Sequence, residues 1–264
     1  MLVWSRGGRI AFWTVFAVIF LVLIVAPLAV IVLASLAGKW DGVLPSHLTF
    51  GNLHRALSSD NSASLTTSLQ TALIAGIGAV AVGSWAAISA ARLPTLLRRT
   101  VDGFFHLPVA VPSVVVGLGL LVAFSKHPLV LNGTKWIVIL AQAMLVLAFA
   151  YSTVSAGLAR LDPAYAEVAA SLGARPGRVL WRIRLPLLLP SIAAAASLSM
   201  ALCMGEVGAT IMVYPASWRT LPVSIFGLAD RGNAFLAAAD TVVLLITTLI
   251  ALLVIGRLRG RAHS

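Results

Sequence analysis

Residues 160–186 read RLDPAYAEVAASLGARPGRVLWRIRLP. Asp162 followed by Pro163 is a helix-opening pair, because the carboxylate accepts from free N–H groups and proline needs no donor in the first turn. Ala164 to Leu172 is alanine-rich and suits a short helix. Gly173 fits its stop. Arg175-Pro176 opens a second short helix, expected to run to about Arg184, with Pro186 breaking the chain before the next apolar run. Tyr165, Val168, Ala169 and Leu172 share one face at helical spacing. Such a face needs a cover, either the membrane surface or the groove of another protein.

On both sides of this stretch the chain is apolar. It has 264 residues, 60% hydrophobic and 10% charged, with mean hydropathy +1.00. A soluble domain carries about 25% charged residues, so the natural solvent here is lipid. Windows free of Asp, Glu, Lys and Arg run over 10–38, 61–91, 103–125, 136–159, 185–205 and 241–256. About 20 residues at 1.5 Å rise cross the hydrocarbon layer, and backbone groups in lipid must bond within their own segment. The chain is therefore expected to be an all-α membrane protein of about six spans, near 11–36, 65–91, 104–124, 137–158, 187–212 and 235–256. Arg6 and Arg9 ahead of an apolar stretch outline a signal peptide, with Ser35-Leu36-Ala37 as its cleavage site. The stretch far exceeds the apolar core of about 7–15 residues that such peptides carry, so it reads as a span.

Charge orients the spans. With a cytoplasmic N-terminus, 13 of the 19 basic residues fall inside and 6 outside, so both termini are expected in the cytoplasm. The net charge of +11 sits in short clusters between apolar runs, which fits topology-setting charge and argues against nucleic acid as a partner. One cysteine, Cys203, excludes an internal disulfide and a cysteine-built zinc site. No GxxxxGK[ST] is present, so the chain has no P-loop for ATP. No HExxH is present, and the five histidines lack ligand spacing, so no metal or catalytic residue is expected. Gly76/Gly78 and Gly117/Gly119 read as helix-packing glycines. The whole of 1–264 reads as one membrane domain, with its core at 65–256.

The loop resembles the EAA loop of ATP-binding-cassette import permeases: E-A-A, three residues, G, nine residues, I, one residue, L-P. Glu167, Ala169, Gly173, Ile183, Leu185 and Pro186 stand at that spacing, with Val168 where alanine is usual. The resemblance implies the MetI-like fold of type I importers and a coupling loop gripped by a separate ATPase. In that scheme Glu167, Ala169 and Gly173 lie in the contact, and Leu185-Pro186 hinges the loop to the fifth span. It further implies a multi-pass inner-membrane location, a second permease subunit (a sister chain rather than a second copy), a periplasmic substrate-binding protein, and no cofactor on this chain. Residues 106–124, 132–140, 171–192, 204–215 and 220–233 resemble the 2-aminoethylphosphonate importer permeases within the sulfate/molybdate/iron/spermidine group. Another oxyanion, iron or a polyamine stays open as cargo. A stand-alone secondary transporter would need a coupling-ion path, for which only Glu206 and Asp240 are available.

Glu206, between Gly205 and Gly208, is a carboxylate in an apolar setting, where charge is costly and commonly functional. It is either a structural tie between helices or a lining group of the translocation pathway. Ser113, in the Pro-Ser turn that opens the third span, is the second pathway candidate. Asp102 is expected to pair with Arg98 and Arg99, and Asp240 to lie near the outer end of span six. Trp40, Trp136, Tyr214 and Trp218 sit where aromatic belts meet the interface, and 213–234 is expected to face the binding protein.

Overall fold

The computed structural model describes residues 6–261. Helices α1 (Arg6–Phe20) and α2 (Ala26–Ser35) are joined by a π-helical turn at Leu21–Val25. A short antiparallel pair follows, β1 (Ala37–Lys39) with β2 (His47–Leu48), then α3 (Gly51–Ala56) and α4 (Ser59–Ala90). Next come α5 (Thr95–Ala110), α6 (Ser113–Ala123), α7 (Lys135–Ala159), α8 (Ala164–Ser171) and α9 (Pro176–Val179). A second π turn at Leu180–Arg184 leads into α10 (Leu185–Met204), followed by α11 (Thr210–Val213), α12 (Leu221–Asp230) and α13 (Ala234–Arg261). The small β pair is the one departure from an all-helical chain among the described residues. Five helical rods are long and apolar enough to span a membrane: Arg6–Ser35, Asn61–Ala90, Lys135–Ala159, Pro176–Met204 and Ala234–Arg257. The count reaches six if the pair α5–α6, bent by 100°, is taken as one span.

Three boundaries differ from the sequence expectation. The third span is two helices, because Val111 is extended (ψ 131°) ahead of Pro112, and a residue before proline is pushed out of the α region. The fifth span stops at Met204 instead of near 212, so Glu206 lies past its end in a turn between α10 and α11. No break occurs at Pro186. The π turn absorbs the proline, with Leu185 N–H bonding to Leu180 O across five residues, and Pro176–Met204 runs as one rod. The same device precedes Pro27, where Ala26 N–H bonds to Leu21 O. A widened turn makes room for the ring against the carbonyl four residues back.

The residues pack as two compact units. One comprises, among the described residues, 6–62 and 224–245. Here Asn52 Nδ2 donates to Ala37 O (2.8 Å) and Arg55 Nη2 to Asn52 Oδ1 (2.7 Å), tying α3 to the strand pair. Asn61 Nδ2 donates to Asp240 Oδ1 (3.0 Å), and Asp240 is 0% exposed.

The other unit comprises, among the described residues, 63–223 and 246–261. Its centre is α7, antiparallel to α10. Val80, Ala87, Ala90, Ala150, Tyr151, Val154 and Ala195 form one buried cluster, and Ile137, Val138, Ala141, Ala209 and Val213 another. Small residues let the backbones approach, since lipid supplies no hydrophobic drive between helices. A Cβ on Gly83 would stand 2.9 Å from Tyr151 N, and one on Gly157 would overlap the Ser191 side chain. Of the four glycines expected to pack helices, Gly117 does so, 2.6 Å from Ala209 O by the same measure. Gly78 and Gly119 face open space, and at Gly76 the nearest atom is a comfortable 3.8 Å away.

Candidate functional site: the coupling loop and the α10–α11 turn

The loop after α7 folds as its local chemistry requires. Asp162 Oδ1 accepts from Ala164 N–H (2.9 Å), satisfying a free donor of α8. At the other end Gly173 takes φ +81°. Its N–H bonds to Ala170 O (2.9 Å), and Ala174 N–H bonds to Ala169 O (3.0 Å). This paired pattern is the Schellman stop, which favours glycine because a Cβ disfavours the left-handed region. Arg175 is extended, and Pro176 opens α9.

The apolar face expected on α8 divides in two. Ala169 is buried inside the loop, as is Val179 of α9, while Tyr165 (58%), Val168 (59%) and Leu172 (83%) stay exposed. Glu167 is exposed in the first turn of α8. Ile183 and Leu185 are partly covered, and Pro186 is exposed within the rod. The loop joins α10 through one continuous rod, with a π turn and no helix break at Leu185-Pro186, where a hinge is expected.

The structure brings Glu206 and Ser113 to one place. Both line a recess of about 410 Å³, together with Phe149, Leu202 and the Gly205–Gly208 turn. A Cβ on Gly208 would strike Ser113 Oγ, so the N-terminus of α6 rests directly on this turn. Glu206 Oε1 accepts from Ala209 N–H (2.7 Å), and Oε2 accepts from Thr210 N–H (2.9 Å) and from the Thr210 hydroxyl. Buried Gln142 Nε2 donates to Thr210 Oγ1 (3.2 Å), joining α7 to the same network. The carboxylate thus caps α11 and holds the break between α10 and α11 in shape. Both of its oxygens are engaged by the chain itself.

Gln142 and Thr210 belong to this centre and were not singled out from the sequence. Their signal was present: a polar side chain in an uncharged window must find a partner when buried.

On α5, the Tyr151 hydroxyl donates to the Asp102 carboxylate, and the Phe105 ring stacks on Tyr151 at 4.5 Å. The expected pairing of Asp102 with arginine is a marginal 4.0 Å contact from Arg98, and its principal partner is Tyr151. Among the belt aromatics, Trp136 is exposed. Trp218 is instead built into the helix ends, with Nε1 donating to Thr71 Oγ1 (2.9 Å) and Lys135 Nζ 5.2 Å over its ring.

Comparison with known proteins places these features. Residues 79–263 match the family model described as "Binding-protein-dependent transport system inner membrane component". A protein of Salmonella paratyphi A, PhnV, provisionally named a 2-aminoethylphosphonate transport system permease, is 45% identical over 261 residues, covering 99% of this chain and 98% of that one. The molybdenum transport system permease ModB of Mycobacterium bovis is 32% identical over 207 residues, covering 73% and 76%. The crystal structure of a bacterial ABC transporter involved in the import of alginate contains a chain similar in fold, with TM-score 0.78 at 18% identity, covering 97% and 96%. A family model spanning most of the chain and a relative aligned almost end to end carry one conclusion: this chain belongs to the inner-membrane permease components of binding-protein-dependent ABC importers.

Proposed function

We propose that this permease forms, with a sister permease chain, the path by which 2-aminoethylphosphonate enters the cell, and that a separate ATPase drives it through residues 160–186. The observation that carries the mechanical part is the exposed apolar face Tyr165–Val168–Leu172 on a capped helix that continues, through α9 and the π turn, into α10. Large apolar side chains left in water at a loop tip need a groove to bury them. A helix pushed by that groove transmits the push along a 29-residue rod. Glu167 and Gly173 border the contact. Ala169 sets the spacing of α8 over α9, and Ile183, Leu185 and Pro186 form the stiff root of the lever. ATP binds the partner, and this chain holds no cofactor. A periplasmic binding protein delivers the cargo.

Support for the cargo comes from the end-to-end relative at 45% identity, which is named for 2-aminoethylphosphonate transport. The recess at Ser113 and Glu206 lies on the pathway in this reading, with Glu206 shaping its wall.

The test is reconstitution of the chain in liposomes with its ATPase, sister permease and binding protein, followed by uptake of labelled 2-aminoethylphosphonate. Uptake should require ATP, should resist excess molybdate, and should be lost in Leu172→Asp while the binding protein still binds its ligand. Uptake of molybdate in preference to the phosphonate would overturn the cargo. ATP-independent uptake would overturn the coupling.

A further inference from the structure

Three spans converge where the coupling loop meets the membrane, and each brings an arginine to that end. Arg92 follows the last turn of α4, Arg160 caps α7, and Arg184 immediately precedes α10. At that end lies a recess of about 230 Å³; Arg184 lines it, and Arg92 and Arg160 adjoin its lining residues Ala91 and Leu161 in the chain. Arg184, Asp162 and Tyr165 supply its polar parts, and Ala91, Leu158 and Leu187 are among its apolar walls. None of the three guanidinium groups has a hydrogen bond or ion pair among the described residues. The one carboxylate in the recess, Asp162, already caps α8 through Ala164 N–H.

The depth of this recess identifies what fills it. From Leu185 the chain runs without charge to Met204, 20 residues. At 1.5 Å per residue that is about 30 Å, the thickness of the hydrocarbon layer. Arg184 therefore sits at the hydrocarbon boundary, in the plane of the lipid phosphates. The charge distribution puts this end on the cytoplasmic side, where anionic lipids concentrate and basic pockets between spans hold their headgroups. The wall is half apolar, which suits a headgroup with the first carbons of its chains and not a fully hydrated ion.

We infer that the recess between the inner ends of α4, α7 and α10 binds an anionic phospholipid, with its phosphate on Arg184, Arg160 and Arg92 and its proximal acyl segment along Leu158 and Leu187. Because Tyr165 and Ala166 of α8 line the same recess, the bound lipid braces the root of the coupling loop against the spans.

The inference is independent of the cargo and is tested on the full chain alone, purified in detergent and offered phosphatidylglycerol, cardiolipin or phosphatidylcholine. Native mass spectrometry reads the lipid retained. Phosphatidylglycerol or cardiolipin should be retained over phosphatidylcholine by about tenfold or more, the scale of two or three charge-assisted contacts. Retention should fall to the phosphatidylcholine level in Arg184→Gln and recover in Arg184→Lys. Arg160→Gln, at an exposed helix end where folding is not at risk, should lower retention several-fold. Equal retention of the neutral lipid overturns the assignment, as does undiminished retention in Arg160→Gln. Displacement of the lipid by millimolar inorganic phosphate would make this a phosphate site and would equally overturn it.

Discussion

Replacing Glu206 by glutamine separates a carboxylate that shapes the pathway from one that handles cargo. Glu206 accepts three hydrogen bonds, from Ala209 N–H, Thr210 N–H and the Thr210 hydroxyl. An amide keeps the shape but offers one acceptor oxygen. If that oxygen takes the Oε1 place, the NH2 group confronts Thr210 N–H. If it takes the Oε2 place, the NH2 group confronts Ala209 N–H. Either way a backbone donor loses its acceptor in a partly buried turn, which costs about 1–3 kcal/mol. Glu206→Ala loses all three bonds and should cost about 2–4 kcal/mol, the cap included. The assay is thermal unfolding of the purified chain, with stability falling from wild type to Gln to Ala. A double-mutant cycle with Thr210→Val should show coupling of about 0.5–3 kcal/mol, as expected of groups in one network. The reasoning is refuted if Glu206→Gln melts with the wild type yet abolishes transport, for the carboxylate would then act on what passes through.

Gly157→Ala places a methyl group into the Ser191 side chain between α7 and α10 and should destabilise by about 1–3 kcal/mol, whereas Gly78→Ala, facing open space within α4, should be neutral or gain up to about 1 kcal/mol; thermal melts of the two variants compare them. Gly173→Ala forces a side chain to φ +81° at the end of α8, costing about 1–2 kcal/mol locally. Its readout is weakened co-purification with the partner ATPase while the spans stay folded. Asp240→Asn should be at least as stable as the wild type in the same melts. The buried carboxylate has one partner, Asn61, and its second oxygen has none among the described residues, so an uncharged isostere lowers the burial cost while an amide oxygen still accepts from Asn61. Asp240→Ala, which removes the 3.0 Å acceptor of Asn61 and leaves it only the 3.4 Å bond to Arg55 O, should lose about 1–3 kcal/mol.

The apolar spans and the short helix of the 160–186 loop were legible because each rests on a one-dimensional property. Transfer into lipid depends on how many charged residues occupy a window, so 61–91 and 136–159 declare themselves by composition, and α8 declares its ends through Asp162 and Gly173, whose backbone chemistry is local. The break after Met204 falls where the uncharged window 185–205 ends, but one carboxylate followed by more apolar residues does not by itself tell a helix end from a span that runs on to 212. There the Glu206 carboxylate takes the Ala209 and Thr210 N–H groups, which an unbroken helix would spend on its own backbone carbonyls, and Gln142 from α7 joins through Thr210. The 100° elbow at Val111-Pro112 and the unbroken passage through Pro186 show the same limit, since a proline bends one helix and is absorbed by a π turn in another. Whether Gly157 is obligatory and Gly78 dispensable, and whether Ala169 turns inward while Leu172 faces out, is set by which backbone lies opposite. That is a property of pairs of residues far apart in the chain, and only the packed structure supplies it.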